Sequence, residues 1–328
     1  MDWNESEIAA LTAKVGALRA NMAKVIIGQR DVVESLIICL LAGGHALVEG
    51  VPGLGKTLLV KSLAQATDME FRRVQFTPDL MPSDIVGTEI LEEDLATHKR
   101  EFRFQKGPVF TQVLLADEIN RAPPKTQSAL LEAMQERAVT FAGQTHKLPR
   151  PFFVLATQNP IEQAGTYPLP EAQLDRFLLR IDVVYPSEDE ELQMVGLTTH
   201  GGLQDAEPAM DVATLLRLQQ LVRDIEIGEH LLRYATRLVR ATRPSETQVE
   251  AVKRHIGWGA GPRAGQALVL ASKARALMHG RLAVTREDIG AMLLPVLAHR
   301  VLRNFEAEAD GVAIADILDA LRAAITID

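Results

Sequence analysis

The 328-residue chain is 47% hydrophobic and 24% charged, with 35 basic and 43 acidic side chains and a formal net charge of −8. This is an ordinary globular composition, long enough for about two domains. The acidic balance argues against nucleic acid as the main partner. A single cysteine, Cys39, excludes an internal disulfide. It sits in an apolar run and reads as a small buried residue rather than a reactive thiol.

The first seven residues are acidic and no apolar region follows them, so no signal peptide is expected. The longest apolar stretch, near residues 32–48, is interrupted by Glu34, Gly43, Gly44 and His45 and is too short to span a bilayer. The expectation is a cytoplasmic protein without membrane insertion.

Ile8, Leu11, Val15 and Leu18 recur at helical spacing, and a second helix is expected over 32–41, after Ile26-Ile27-Gly28-Gln29. Residues 45–49 form a short strand that feeds a glycine-rich loop, and a helix follows over 57–66. Further strands are expected at 71–76, 113–116, 152–157 and 178–184, with a helix at 126–137. Short apolar strands alternating with helices imply a parallel sheet covered on both faces, a three-layer αβα arrangement. Residues 87–106 and 138–150 read as β-hairpins, the second turning at Gly143-Gln144. Beyond Tyr185-Pro186 the strands stop. Helices are expected at 188–197, 212–222, 231–241, 263–278, 286–299 and 312–325, with loops at 199–208 and 242–247. The chain therefore divides into an α/β domain over 1–186 and an all-helical domain over 187–328.

Gly50-Val51-Pro52-Gly53-Leu54-Gly55-Lys56-Thr57 fits the pattern GxxxxGK[ST], with a strand before it and a helix after it. Glycines let backbone N–H groups turn inward on phosphates, and the helix N-terminus adds a favourable field. Lys56 would reach the β- and γ-phosphates of ATP, and the Thr57 hydroxyl would bind Mg²⁺. Leu58, next in the helix, closes the stretch assigned to nucleotide contact. A random chain of this length would match on the order of once in a hundred.

The strand at 113–116 ends in Asp117 and Glu118. Asp117 can hold the Mg²⁺, and Glu118 can orient and deprotonate a water. Taken alone, such a pair also fits a turn or a helix cap. Asn159, after the apolar strand at 153–157 and before Pro160, either reaches the γ-phosphate or its attacking water, or simply forms an Asn-Pro turn. Arg176 and Arg263 read by themselves as surface charges. His98, His146 and His200 have no partners at metal-ligand spacing. Trp258 is expected to pack the second domain. Lys99, Arg100, Arg103 and Lys106, interleaved with Phe102 and Phe104, fit a solvated hairpin better than a nucleic-acid contact.

The loop, residues 114–136 (LLADEINRAPPKTQSALLEAMQE), 156–160 (ATQNP), 169–177 (LPEAQLDRF) and 261–264 (GPRA) occur in order. Together they strongly resemble the MoxR family of AAA+ ATPases, and FTPDLMPSDIVG (76–87) looks like a further family signature. The resemblance covers essentially the whole chain. It implies an AAA+ core followed by a helical lid, assembled as a homo-oligomeric ring, a hexamer, that hydrolyses ATP with Mg²⁺. Asp117 and Glu118 become the Walker B acids and Asn159 resembles sensor 1. Arg176 resembles the arginine finger that reaches a neighbour's ATP. Arg263 resembles sensor 2, touching the nucleotide of its own chain. Ile27-Gly28-Gln29 resembles the segment that packs on adenine, and Arg121 is a candidate to face the neighbouring subunit. The hairpins are similar to inserts that point toward a central pore. The implied work is remodelling or metal-cofactor maturation of a client protein, with a possible partner carrying a von Willebrand factor A domain. A nucleic-acid-dependent motor shares such inserts and is the alternative. A nucleotide-gated scaffold would conflict with Glu118 and Arg176.

Overall fold

The structure is a computed structural model that describes residues 3–51, 53–93, 100–160, 165–200 and 205–327; Pro52, His98, Lys99 and the side chain of His200 lie outside it. Helix α1 (Glu5–Val25) starts under Asn4, whose Oδ1 accepts the Glu7 N–H at 2.7 Å. It buries Leu11, Val15, Leu18 and Met22 on one stripe. Then come α2 (Arg30–Leu41), β1 (Ala46–Gly50), α3 (Lys56–Ala66), β2 (Phe71–Gln75) and a short α4 (Pro82–Val86). A hairpin of β3 (Gly87–Glu93) and β4 (Arg100–Lys106) precedes β5 (Val113–Asp117) and α5 (Pro124–Glu136). A second hairpin, β6 (Ala138–Phe141) with β7 (Gln144–Lys147), leads to β8 (Phe153–Gln158), α6 (Glu171–Leu174) and β9 (Leu179–Val183).

Five strands form one parallel sheet in the order β2-β5-β8-β1-β9. Apart from its last residue, each of β5 and β8 is a continuous buried run, as a strand covered on both faces must be. Alternate residues go to opposite layers. Val113, Leu115, Phe153 and Leu155 join α1, α2 and α3, whereas Leu114, Ala116, Val154 and Ala156 join α5. Edge strand β2 carries Arg72 and Arg73, exposed charges that discourage edge-to-edge pairing.

After β9 the chain is mainly helical: α7 (Glu188–His200), α8 (Val212–Asp224), α9 (Glu229–Arg240), α10 (Glu250–His255), α11 (Pro262–Met278), α12 (Arg286–Leu297), α13 (Phe305–Ala309) and α14 (Ile314–Ala324). Leu268 and Ala271 of α11 and Leu293 and Val296 of α12 share the hydrophobic cluster of α2 and β9, so the lid is packed onto the sheet layer.

The fold departs from the expected elements at three places. Strands do not end at residue 186, because β10 (Ile256–Trp258) and β11 (Leu302–Arg303) make an antiparallel ribbon within the helical lid. Trp258 does not pack the lid: a register shift between Ile256 and Trp258 turns the ring outward, 70% exposed. The second hairpin turns at Ala142-Gly143, one residue earlier than expected. Both have positive φ, +46° and +78°, the twist a two-residue hairpin turn demands.

Candidate active site

The register of the sheet brings the carboxyl ends of β1, β5 and β8 together, the usual ligand position in an open α/β sheet. The glycine-rich loop leaves β1 there and enters α3 at Lys56. Gly53 and Gly55 take φ of +86° and +72°, and nothing lies within 4 Å of where their Cβ atoms would be. The loop thus curls around open space at the positive end of an 11-residue helix, an arrangement suited to phosphate. Lys56 Nζ donates to the Gly50 carbonyl at 2.6 Å, so its ammonium lies inside the curl. Burial lowers its pKa, and the carboxylates of Asp117 and Glu118 partly oppose that shift. Gln29 Nε2 reaches the Leu54 carbonyl at 3.4 Å, which ties the Ile27-Gly28-Gln29 segment to the loop. Leu54 and Leu58 rest half-buried on the core, Val51 is half-buried, and the Thr57 hydroxyl is on the exposed side of α3.

The acidic end of β5 is held by Arg121 and by three residues outside the expected set, Thr157, Arg73 and Gln75. Thr157, fully buried on β8, donates its hydroxyl to Asp117 Oδ1 at 2.6 Å and accepts the Glu118 N–H at 2.8 Å. Arg73 donates to Asp117 Oδ2 through Nη2 at 2.6 Å and Nε at 3.1 Å. Gln75 Nε2 and Arg121 Nη1 both donate to Glu118 Oε2, at 2.8 and 3.0 Å. Arg121 therefore touches an acid of its own chain. Glu118 itself sits at φ 56°, ψ 50°, a left-handed conformation that costs about 1 kcal/mol or more. It turns the carboxylate off the strand direction. Asn159 follows β8 at the same end of the sheet and is 6% exposed. Of the three unexpected residues, only Thr157 left a trace in the sequence, as a polar residue ending the apolar run 153–156. Arg73 and Gln75 become visible only once β2 is placed beside β5.

The two remaining arginines lie elsewhere. Arg176 donates to the Leu131 carbonyl on α5 at 2.7 Å, while its Nε is buried without a hydrogen-bond partner. Arg263 opens α11 with its guanidinium 3.8 Å from Asp175 and 63% exposed. Both line one cavity of about 410 Å³ with Gly43, Gly44 and His45, at the amino end of β1, and no residue of the phosphate loop lines it. The expected contact of Arg263 with its own chain's nucleotide does not fit this placement. Docking of the lid carries it to Arg176 instead. Arg300 fixes this corner from the end of α12. Its buried guanidinium donates to Asp175 Oδ1 at 2.7 Å and to the Phe177 and Leu178 carbonyls at 2.6 and 3.1 Å.

The loop end of the sheet fits a nucleoside triphosphate. Thr57 and Asp117 are oxygen donors suited to Mg²⁺, a hard cation that takes few protein ligands beside phosphate. Among the described residues, no group of three or more His, Cys, Asp or Glu is arranged to hold a metal ion. His146 instead stacks on Phe104, with ring centroids 4.4 Å apart, joining the two hairpins.

Residues 45–179 match the family described as "ATPase family associated with various cellular activities (AAA)", and residues 248–321 match "AAA lid domain". The chain is 44% identical to Chaperone MoxR1 of Mycobacterium tuberculosis, over 88% of this chain and 76% of that protein. It is 33% identical to Protein MoxR of Paracoccus denitrificans, over 90% and 91% of the two chains. A crystal structure from Cytophaga hutchinsonii superimposes with a TM-score of 0.91 at 40% identity, covering 99% of this chain and 98% of the other.

Proposed function

Because this chain belongs to the MoxR family of AAA+ ATPases and hydrolyses ATP, we propose that it does so at the subunit interfaces of a homo-oligomeric ring, a hexamer, and remodels a client protein in the cytoplasm. The nucleotide-binding part is residues 1–186 and the lid residues 187–328. Adenine packs on Ile27-Gly28-Gln29, and the phosphates sit in residues 50–58 with the Lys56 ammonium between the β and γ groups. Thr57 and Asp117 would hold Mg²⁺, which when bound would neutralise charge on the transferring phosphoryl group. Glu118 takes a proton from a water positioned by Asn159 as the water oxygen attacks the γ-phosphorus. The bond from that phosphorus to the β–γ bridging oxygen breaks in line, releasing ADP and phosphate.

Arg176 and Arg263 serve the ATP of the adjoining copy. One observation carries this assignment: their shared cavity is at the amino end of β1, whereas the phosphate loop leaves its carboxyl end. The strand alone separates the two by about 13 Å, and Arg176 is anchored to α5 on the far side. The name "chaperone" borne by one relative supports client remodelling as the work. Family resemblance extends the proposal to metal-cofactor maturation and to a partner carrying a von Willebrand factor A domain. Nucleic acid is not favoured, because Arg100 and Arg103 on the first hairpin pair with Glu93 and Glu92.

Mixing two inactive variants tests the interface. Lys56→Ala subunits still offer an intact Arg176 to Arg176→Ala neighbours whose phosphate loop is whole. ATPase activity above the sum of the separate variants is expected across mixing ratios. A flat curve with co-assembly demonstrated would sink catalysis between subunits.

A further inference from the structure

Helix α7 and a groove in the lid have opposite surface chemistry. In α7, Glu190 and Met194, four residues apart, are half-buried, while Leu192 and Val195 are 72% and 59% exposed. Glu188, Asp189 and Glu191 crowd its first turn, all exposed. The groove, of about 700 Å³, runs between α8, α9 and α11. Leu232, Val269 and Leu270 form its floor; Arg223, Arg240 and Lys273 stand at its rim, and no carboxylate lines it. Glu246, outside the lining, pairs with Arg240 and with the further rim residue Arg243. Positive charge still predominates, with four cations facing two acids, since Asp224, held by the Trp3 indole N–H, lies near Lys273.

The two features also lie on opposite faces. Helix α7 follows the carboxyl end of β9, and the Glu190 carboxylate lies against Gly28, in the segment tied to the phosphate loop. The groove is continuous with the arginine cavity, since Gln266 and Leu270 line both. A head-to-tail ring sets the nucleotide face of one copy against the arginine face of the next. That contact brings an acidic helix with exposed apolar side chains to a basic groove with an apolar floor.

We propose that α7 of each copy docks in the α8–α9–α11 lid groove of the adjoining copy, Leu192 and Val195 on the floor and Glu188 and Glu191 against Arg223 and Lys273. The proposal rests on the ring proposed above and adds its contact. Oppositely charged, partly desolvated groups give such a contact register, and the apolar side chains give it area. It places a lid contact beside each composite active site.

Sedimentation velocity of the full chain with ATP, in a Glu118→Gln background that preserves the nucleotide, tests this. Reversing the helix (Glu188→Lys with Glu191→Lys) or the groove (Arg223→Glu with Lys273→Glu) should raise the concentration for half-assembly about tenfold or more. All four changes together should restore assembly to within about threefold of the parent. Leu192→Asp, at a site too exposed to affect folding, should weaken assembly with an unchanged circular dichroism melt. Parent-like assembly of the helix, groove and Leu192 variants would overturn the docking while leaving the ring intact. Failure of the fourfold combination to recover would also overturn it. A parent that stays monomeric with ATP would take down the ring, and the docking with it.

Discussion

Arg73 and Asp117 meet across the neighbouring strands β2 and β5, two guanidinium nitrogens closing on one carboxylate oxygen at 2.6 and 3.1 Å. Asp117 is also the acid proposed to hold Mg²⁺, in which case the arginine and the cation would compete for Oδ2. We predict that Arg73→Ala lowers the Mg²⁺ concentration for half-maximal ATPase activity. Stability should change by no more than about 1 kcal/mol, because the arginine is half-exposed. A Mg²⁺ titration of the variant decides it. A raised requirement would mean that Arg73 positions Asp117 rather than competing for it.

Lys56 and Glu118 should separate binding from chemistry. Lys56→Ala removes the ammonium inside the loop and should abolish tight ATP binding. Glu118→Gln keeps shape and loses the base, so ATP should bind with near-normal affinity while turnover falls by about 10²–10⁴. Nucleotide titration beside a turnover assay distinguishes them. Unchanged affinity in a folded Lys56→Ala chain would remove the site from the loop.

His45 predicts an acid-sensitive fold. Its Nδ1 accepts the Val154 N–H at 3.0 Å, which leaves Nε2 to carry the proton and donate to the Met134 carbonyl at 3.3 Å. Burial brings its pKa from 6.5 down to about 4. Between those values the unfolded chain binds a proton that the folded chain refuses, so stability is full above pH 6.5 and falls as pH drops toward 4. The whole loss is on the order of 3 kcal/mol. Buried His299 is shifted the same way. Denaturant unfolding at pH 7.5 and pH 5 should show the slope, and His45→Gln should flatten part of it. An equal slope in that variant would assign the effect elsewhere.

Local chemistry made the centre of the fold legible. A short strand, a glycine-rich turn and a helix announce β1, the loop and α3, and unbroken apolar runs announce β5 and β8. The ribbon of β10 and β11 is only three and two residues long and shows no alternation. Thr157, Arg73 and Gln75 join the site because the sheet order sets β8 and β2 on either side of β5, a pairing that no local pattern carries. Arg263 was visible as a motif residue, but its position depends on how α11 docks. Spacing along the chain is silent about that. Trp258 misled for a similar reason, since an irregular register reverses the side to which a strand residue points.

Arg300 fastens the lid to the sheet. Its guanidinium, 4% exposed, grips Asp175 and the carbonyls of Phe177 and Leu178 on either side of Arg176. If α12 swung away from the sheet without them, a buried cation would lose its partners, at a cost of about 3–5 kcal/mol. Residues 175–178 are themselves held by the sheet layer, with Phe177 in its core and the Leu178 N–H on the His45 carbonyl at 2.8 Å. Arg300 therefore rivets the end of α12 to the segment that carries Arg176, and a lid that moved would have to hinge elsewhere than at this corner.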